Sequence, residues 1–189
     1  MSMCTDAASD QPPDALGAPT GPRSAPDATA PRRLGLRIRH DGTWLYYESP
    51  IKRKELVKLF ASVLRREPDG SYWLVTPVER GRIEVDDAPF VAVELARDGA
   101  GVRQKLRLRT NLDEWLTVGE QHRLEVRRRS GQPADAGPVP YVEVRAGLEA
   151  RLARPVYYEL VELGVERQEH GEKRFGVWSD GRFFALDLP

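Results

Sequence analysis

Three consecutive cations, Lys52, Arg53 and Lys54, sit between Ser49-Pro50 and a run in which Leu56, Val57, Phe60, Val63 and Leu64 recur at helical spacing. Ser49 is a good N-cap, and Pro50 suits the first helical position, where a missing N–H costs nothing. This pattern predicts a helix over 50–64 with the three cations in its first turn, the end of a helix that attracts negative charge. An anionic group such as phosphate, held by backbone N–H groups together with Arg53 and Lys54, would account for them. Solvated side chains offset by Glu48 and Glu55 would account for them equally. Arg151 and Arg154 stand in the same way around Pro155, at the start of a second predicted helix.

Other polar clusters have ordinary readings beside functional ones. Arg109-Thr110-Asn111 with Asp113 gathers hydrogen-bonding groups at the end of a predicted strand, where Asn and Asp commonly bond their own backbone. Tyr157 and Tyr158 are adjacent on a predicted helix, so at most one faces the core fully; the other offers its hydroxyl to a groove or to water. The outward row Arg103, Lys105, Arg107 and Arg109 alternates with inward Val102, Leu106 and Leu108. Pairing with acids on a neighbouring strand is the usual fate of such a row, and it lacks the aromatics that stack single-stranded bases. Asp86-Asp87 reads as loop solvation. His40, His122 and His170 lie far apart, so no metal-ligand spacing occurs and no cofactor is implied. Phosphate-binding glycine loops, nucleophile elbows and Cys-His pairs are missing, which points away from an enzyme, although acid–base pairs assembled from distant residues leave no such mark.

The elements that position these residues follow from period and punctuation. Leu34, Leu36 and Ile38 alternate as a strand, Asp41-Gly42 turns it, and Trp44 to Tyr47 follows. After the first helix come strands at 72–76 and 82–85. A meander fills the middle: 90–95 and 102–109 joined by Asp98-Gly99-Ala100-Gly101, then 115–118 and 122–126, then a Gly-, Pro- and Ala-rich loop over 130–140, and Tyr141 to Val144. Leu148 to Leu152, a helix opened by Arg154-Pro155, a charged linker ending near Gly171, and strands around Phe175 to Trp178 and Arg182 to Leu188 close the chain. This last part echoes the first, with Glu159-Leu160-Val161 matching Glu55-Leu56-Val57. The expectation is an α+β fold: two strand-helix-strand-strand units around an antiparallel meander.

Composition sets the limits. The chain has 189 residues, with 29 Lys plus Arg against 29 Asp plus Glu, and one cysteine. Balanced charge speaks against generic nucleic-acid or anionic-membrane binding. Residues 1–33 hold no aromatic side chain and are rich in Pro, Ala, Gly and Asp, so a disordered tail is expected, followed by subdomains over 34–88 and 89–189. The part after the tail, about 155 residues, can bury close to 70% of its unfolded surface without disulfides. Cys4 alone fits a reducing compartment, and without an apolar leader or long apolar run a soluble, cytoplasmic protein is expected.

Ser49-Pro50-Ile51 before Leu56-Val57-Lys58-Leu59-Phe60, Trp73-Leu74-Val75-Thr76-Pro77, Arg109-Thr110-Asn111, and Val144-Arg145 through Leu148-Glu149-Ala150 to Tyr157-Tyr158-Glu159-Leu160 resemble the bacterial domain-of-unknown-function family 1285. The resemblance covers nearly everything after the tail, which is not part of the pattern. It implies duplicated domains, a C-terminal part like a pleckstrin-homology barrel, and a nucleotide-like ligand bound between the domains in a signalling role; the family has no established activity. Arg109 and Asn111 then become candidates to line that groove, with Tyr141, Arg145 and Tyr158. The leading expectation is a non-enzymatic regulatory module that takes an anionic ligand through Arg53, Lys54, Arg109, Asn111, Tyr141, Arg145 and Tyr158. The alternative is a protein–protein adaptor using exposed sheet edges and the Pro-rich tail.

Overall fold

The computed structural model describes residues 32–129, 137–169 and 171–187; the expected disordered tail lies outside them except for Arg32 and Arg33, as do His170 and most of the 130–140 loop. Alternating burial of Leu36 and Ile38 makes β1 (Arg33–Ile38), which pairs antiparallel with β2 (Trp44–Tyr46) across the expected Asp41-Gly42 turn. Instead of capping a helix, Ser49-Pro50 forms β3 (Ser49–Pro50), paired with Tyr46 and Leu45. Tyr47 and Glu48 take left-handed φ values of 43° and 63°, so the chain folds back on β2 in a two-residue hairpin. The helix α1 (Lys54–Ser62) therefore starts only after Arg53, its N-cap, which makes no side-chain capping bond. Of the three cations only Lys54 lies in the first turn.

Val57 and Ala61 are the buried face of α1, and Phe60 stacks on Trp44 with ring centroids 6.1 Å apart. Leu64, which fits the helical period, instead opens a short β4 (Leu64–Arg66) opposite Leu74 of β5 (Tyr72–Val75). β6 (Arg80–Val85) completes the sheet in the order β3-β2-β1-β6-β5-β4. Its central pair, β1 and β6, is parallel. Parallel strands need a long crossover, and α1 lies on this one.

The second sheet contains β7 (Phe90–Asp98), β8 (Lys105–Thr110), β9 (Trp115–Thr117), β10 (Leu124–Arg127), β11 (Val139–Arg145) and β12 (Leu148–Leu152). Leu106 and Leu108 are fully buried as the alternation predicts, but Val102 sits exposed in a 3₁₀ turn, Gly101–Arg103, before the strand begins. The strand order is β10-β11-β12-β7-β8-β9, with β7 and β12 parallel. Read from its other edge, this is the order of the first sheet: two antiparallel meanders joined through their first and last strands.

The helix α2 (Arg154–Glu162) has Pro155 in its first turn, as expected, and buries Val156 and Leu160. A third sheet follows: β13 (Val165–Glu169), β14 (Glu172–Ser179) and β15 (Arg182–Ala185), the last two turned by Asp180-Gly181 with φ values of 50° and 73°. The segment expected to be a charged linker is thus mainly β13, whose Arg167 guanidinium lies 5.0 Å from the Trp178 ring centre on β14. Both helices lead into a three-stranded meander, so the fold is α+β with repeated units. The Glu-Leu-Val match is not the repeat itself: Glu55-Leu56-Val57 lies at the start of α1 and Glu159-Leu160-Val161 near the end of α2, with Leu56 36% exposed and Leu160 buried.

One hydrophobic cluster runs from Leu36 and Trp44 to Val177 and Leu186. Ser179, fully buried, ties the third sheet to the second: its Oγ accepts the Leu106 N–H at 3.0 Å and donates to the Val118 carbonyl at 2.6 Å. Among the described residues no helix is long and apolar enough to cross a membrane.

Candidate functional site

The turn from β8 to β9 is built around Thr110, a buried residue whose Oγ1 accepts the N–H groups of Leu112 and Glu114 at 3.3 and 3.2 Å. Closing the turn puts Asp113 at φ 67° and faces its carboxylate to α1. Lys54 and Lys58, one helical turn apart, share a face of that helix. Lys54 Nζ donates to Asp113 Oδ1 at 2.8 Å, Lys58 Nζ lies 3.0 Å from Oδ2, and Arg109 Nη1 donates to Oδ1 at 3.2 Å. Three cations from two elements thus converge on one carboxylate. Hydrogen bonds from Lys54 and then Lys58 hold the Asp113 carboxyl down at about 2, and Asp113 in turn raises Lys58. Glu94 takes the other side of Arg109 at 2.6 Å, and Glu55 lies 3.6 Å from Lys58.

Two neighbouring residues hold this junction in shape. Asn111 Oδ1 accepts the Val91 N–H at 3.1 Å while its Nδ2 donates to the Gly42 carbonyl at 3.3 Å, pinning the β1–β2 turn to β7. Arg145 reaches across to the last turn of α1, where Nη2 donates to the Ala61 carbonyl at 3.1 Å, and its guanidinium lies over the Phe90 ring. That supplies a cation to a helix end with no basic residue of its own. Beside it is a groove of about 300 Å³ between Lys58, Ser62, Phe90, Leu112, Glu114 and Arg145.

Four of the seven predicted site residues, Lys54, Arg109, Asn111 and Arg145, therefore meet at this junction. Arg53 stands exposed just before it with no ion-pair partner among the described residues. The other two lie elsewhere. Tyr141 is buried in β11, its hydroxyl donating to Asp87 Oδ1 at 2.8 Å. Arg127 covers its ring at 3.9 Å and forks onto Glu149 at 2.8 and 2.6 Å. Burial pushes the Tyr141 hydroxyl far up, and the bond to Asp87 adds to this. Asp87 is no loop-solvating residue: its side chain is 6% exposed, Oδ2 has no hydrogen-bond partner, and Arg151 Nε stands 3.8 Å away. Tyr158 is exposed on α2 and lines a separate groove of about 430 Å³ with Tyr157, Arg151, Arg154 and Pro138.

Three of the four members of the outward basic row are neutralised, Lys105 by Asp180 at 3.4 Å, Arg107 by Asp98 at 3.0 Å, and Arg109 by Glu94 and Asp113; Arg103 lies in the 3₁₀ turn before the strand and has no ion pair among the described residues. Lys58 is the member of the cation cluster that sequence reasoning passes over. Its spacing from Lys54 is visible in the sequence, but the carboxylate that gives the pair meaning is 59 residues from Lys54. Among the described residues no three His, Cys, Asp or Glu side chains group as metal ligands.

Models of two family domains match the chain: "Domain of unknown function (DUF1285), N-terminal domain" over residues 25–88, and "Protein of unknown function (DUF1285), C-terminal domain" over residues 89–186. No curated protein matches. A crystal structure of a DUF1285 family protein from Silicibacter pomeroyi is 44% identical, with a TM-score of 0.72, covering 82% of this chain and 80% of that one. Another, from Shewanella baltica, is 26% identical with a TM-score of 0.51, covering 69% of this chain and 92% of that one. With both domain models matched in sequence order and a relative of this identity spanning most of its length, the chain belongs to the DUF1285 family.

Proposed function

We propose that this protein is a non-enzymatic binding module for a small phosphate-bearing, nucleotide-like ligand, taken where α1 meets the β8–β9 turn and serving a signalling role. The observation that carries this reading is the convergence of Lys54, Lys58 and Arg109 on one carboxylate at 2.8 to 3.2 Å. Donors placed around two carboxylate oxygens are also placed for the oxygens of a phosphate, with Arg offering a planar fork and Lys a point charge. The uncapped start of α1 and Arg53, which has no ion pair among the described residues, add to the attraction for an anion. Phe90 and Leu112 give the adjoining groove an apolar wall against which a base or sugar can rest.

A specific observation favours the adaptor as second reading. Tyr46 and Tyr47 are 53% and 70% exposed and, with Leu34, Phe60 and Val63, line a groove of about 350 Å³. We also read the second and third sheets, tied by Ser179, as the pleckstrin-homology-like barrel that the family resemblance implies.

Titration of the full chain with nucleotides and phosphosugars, followed by thermal shift, tests the main reading. A ligand at a hundredfold excess over its dissociation constant stabilises by about 2.7 kcal/mol. Lys54→Glu and Arg109→Glu should each abolish that shift. A ligand whose affinity survives both exchanges binds elsewhere and overturns the assignment.

A further inference from the structure

We infer that Asp113 is a built-in competitor for the phosphate seat: its carboxylate occupies the place of the incoming phosphate, which enters by displacing it. This rests on the reading of the cation cluster as an anion site and adds how that site is controlled.

Three features carry it. First, both oxygens of Asp113 are engaged by cations from outside its own turn, Oδ1 by Lys54 and Arg109 and Oδ2 by Lys58, so one side chain engages all three cations. Second, the residue is held at φ 67°, a conformation that L side chains rarely adopt, by Thr110, whose carbonyl accepts the Asp113 N–H at 3.0 Å. The carboxylate is thus delivered to the cations by the turn. Third, its side chain is 41% exposed, and rotation about its own Cα–Cβ bond carries the carboxylate out to water without moving β8 or β9.

Once Asp113 has swung out, the ion pairs left to Lys54, Lys58 and Arg109 among the described residues are those of Lys58 with Glu55 and Arg109 with Glu94, while Glu114 lines the adjoining groove with Lys58. Arg53 adds a further positive charge at the helix start. A phosphate dianion brings more charge and more acceptor oxygens than the carboxylate it replaces. A ligand carboxylate brings neither, so the competitor filters ligands by charge and acceptor number: phosphomonoesters enter and simple carboxylates do not.

The test is isothermal titration of inorganic phosphate, at fixed ionic strength, into the full chain and its Asp113→Asn and Asp113→Gly variants. Asn and Gly both accept the left-handed backbone, so neither variant disturbs the turn. Removal of three partly exposed ion pairs should tighten phosphate binding about tenfold in both variants. Adding Lys54→Glu to Asp113→Asn should remove the gain. Measurable binding by the parent chain with no tightening in either variant overturns the competitor and leaves the anion site standing. Weaker binding in both variants does the same, because Asp113 would then support the ligand. No phosphate binding by any of the three proteins overturns both.

Discussion

Tyr141→Phe separates a structural hydroxyl from a ligand-binding one. The tyrosine is 2% exposed, and its hydroxyl donates to Asp87, whose side chain is 6% exposed. Phe keeps the ring and its packing beneath Arg127, so the change is confined to one charge-assisted bond. Hydrogen bonds to charged groups contribute about 1.5–3 kcal/mol, and a buried acceptor left unpaired sits at the upper end. Asp87 Oδ2 already lacks a hydrogen bond, so the loss of Oδ1's donor leaves this carboxylate with Arg151 alone, 3.8 Å away. A loss of about 2–3 kcal/mol follows, which in a domain of this size lowers the melting temperature by roughly 5–10 °C. Calorimetry on the full chain measures it, and a double-mutant cycle with Asp87→Asn isolates the coupling. An unchanged melting temperature together with loss of a bound anionic ligand would refute the structural assignment and return Tyr141 to the binding residues.

Ser179→Ala leaves the Leu106 N–H and the Val118 carbonyl without partners inside the core, so urea unfolding should show a loss of about 2–4 kcal/mol. Gly35→Ala places a Cβ 2.7 Å from the Tyr47 ring at a φ of 66°, and the same assay should show a loss of about 1–3 kcal/mol. The Asp113 carboxyl is held at about 2 against an ordinary value of 3.8, so its contribution is present above pH 3.8 and is lost as the pH falls through 2. Asp113→Asn should therefore lose less stability than the parent chain across that window, read from urea midpoints at successive pH values.

Much of this fold is legible in the sequence because the informative signals are local. Asp41-Gly42 and Asp180-Gly181 specify their hairpins through backbone geometry that few other residues adopt, and Arg154-Pro155 opens α2 where its spacing says it should. Ser49-Pro50 misleads because N-cap chemistry and edge-strand chemistry use the same residue types. What decides between them is the pair of left-handed residues, Tyr47 and Glu48, whose composition gives no turn signal. β13 is hidden because a strand with one Val followed by Glu, Arg, Gln and Glu carries no apolar alternation; it forms because β14 offers it a partner and Trp178 offers Arg167 a surface. The site shows the same division. Arg109, Asn111 and Lys54 stand out by type and position, whereas their pairing depends on a contact between α1 and a turn 59 residues away. Asp87 looks like a loop acid until Tyr141, 54 residues on, closes over it.

Ligand binding at the junction of α1 with the β8–β9 turn is best decided by nuclear magnetic resonance titration of the full chain with nucleotides and phosphosugars, following the backbone amides of Lys54, Lys58, Arg109 and Asp113. Saturable shifts centred on these four residues, absent in Lys54→Glu, are the predicted result. Shifts centred on Tyr46 and Tyr47 or on the α2 groove, with these four unmoved, would contradict it.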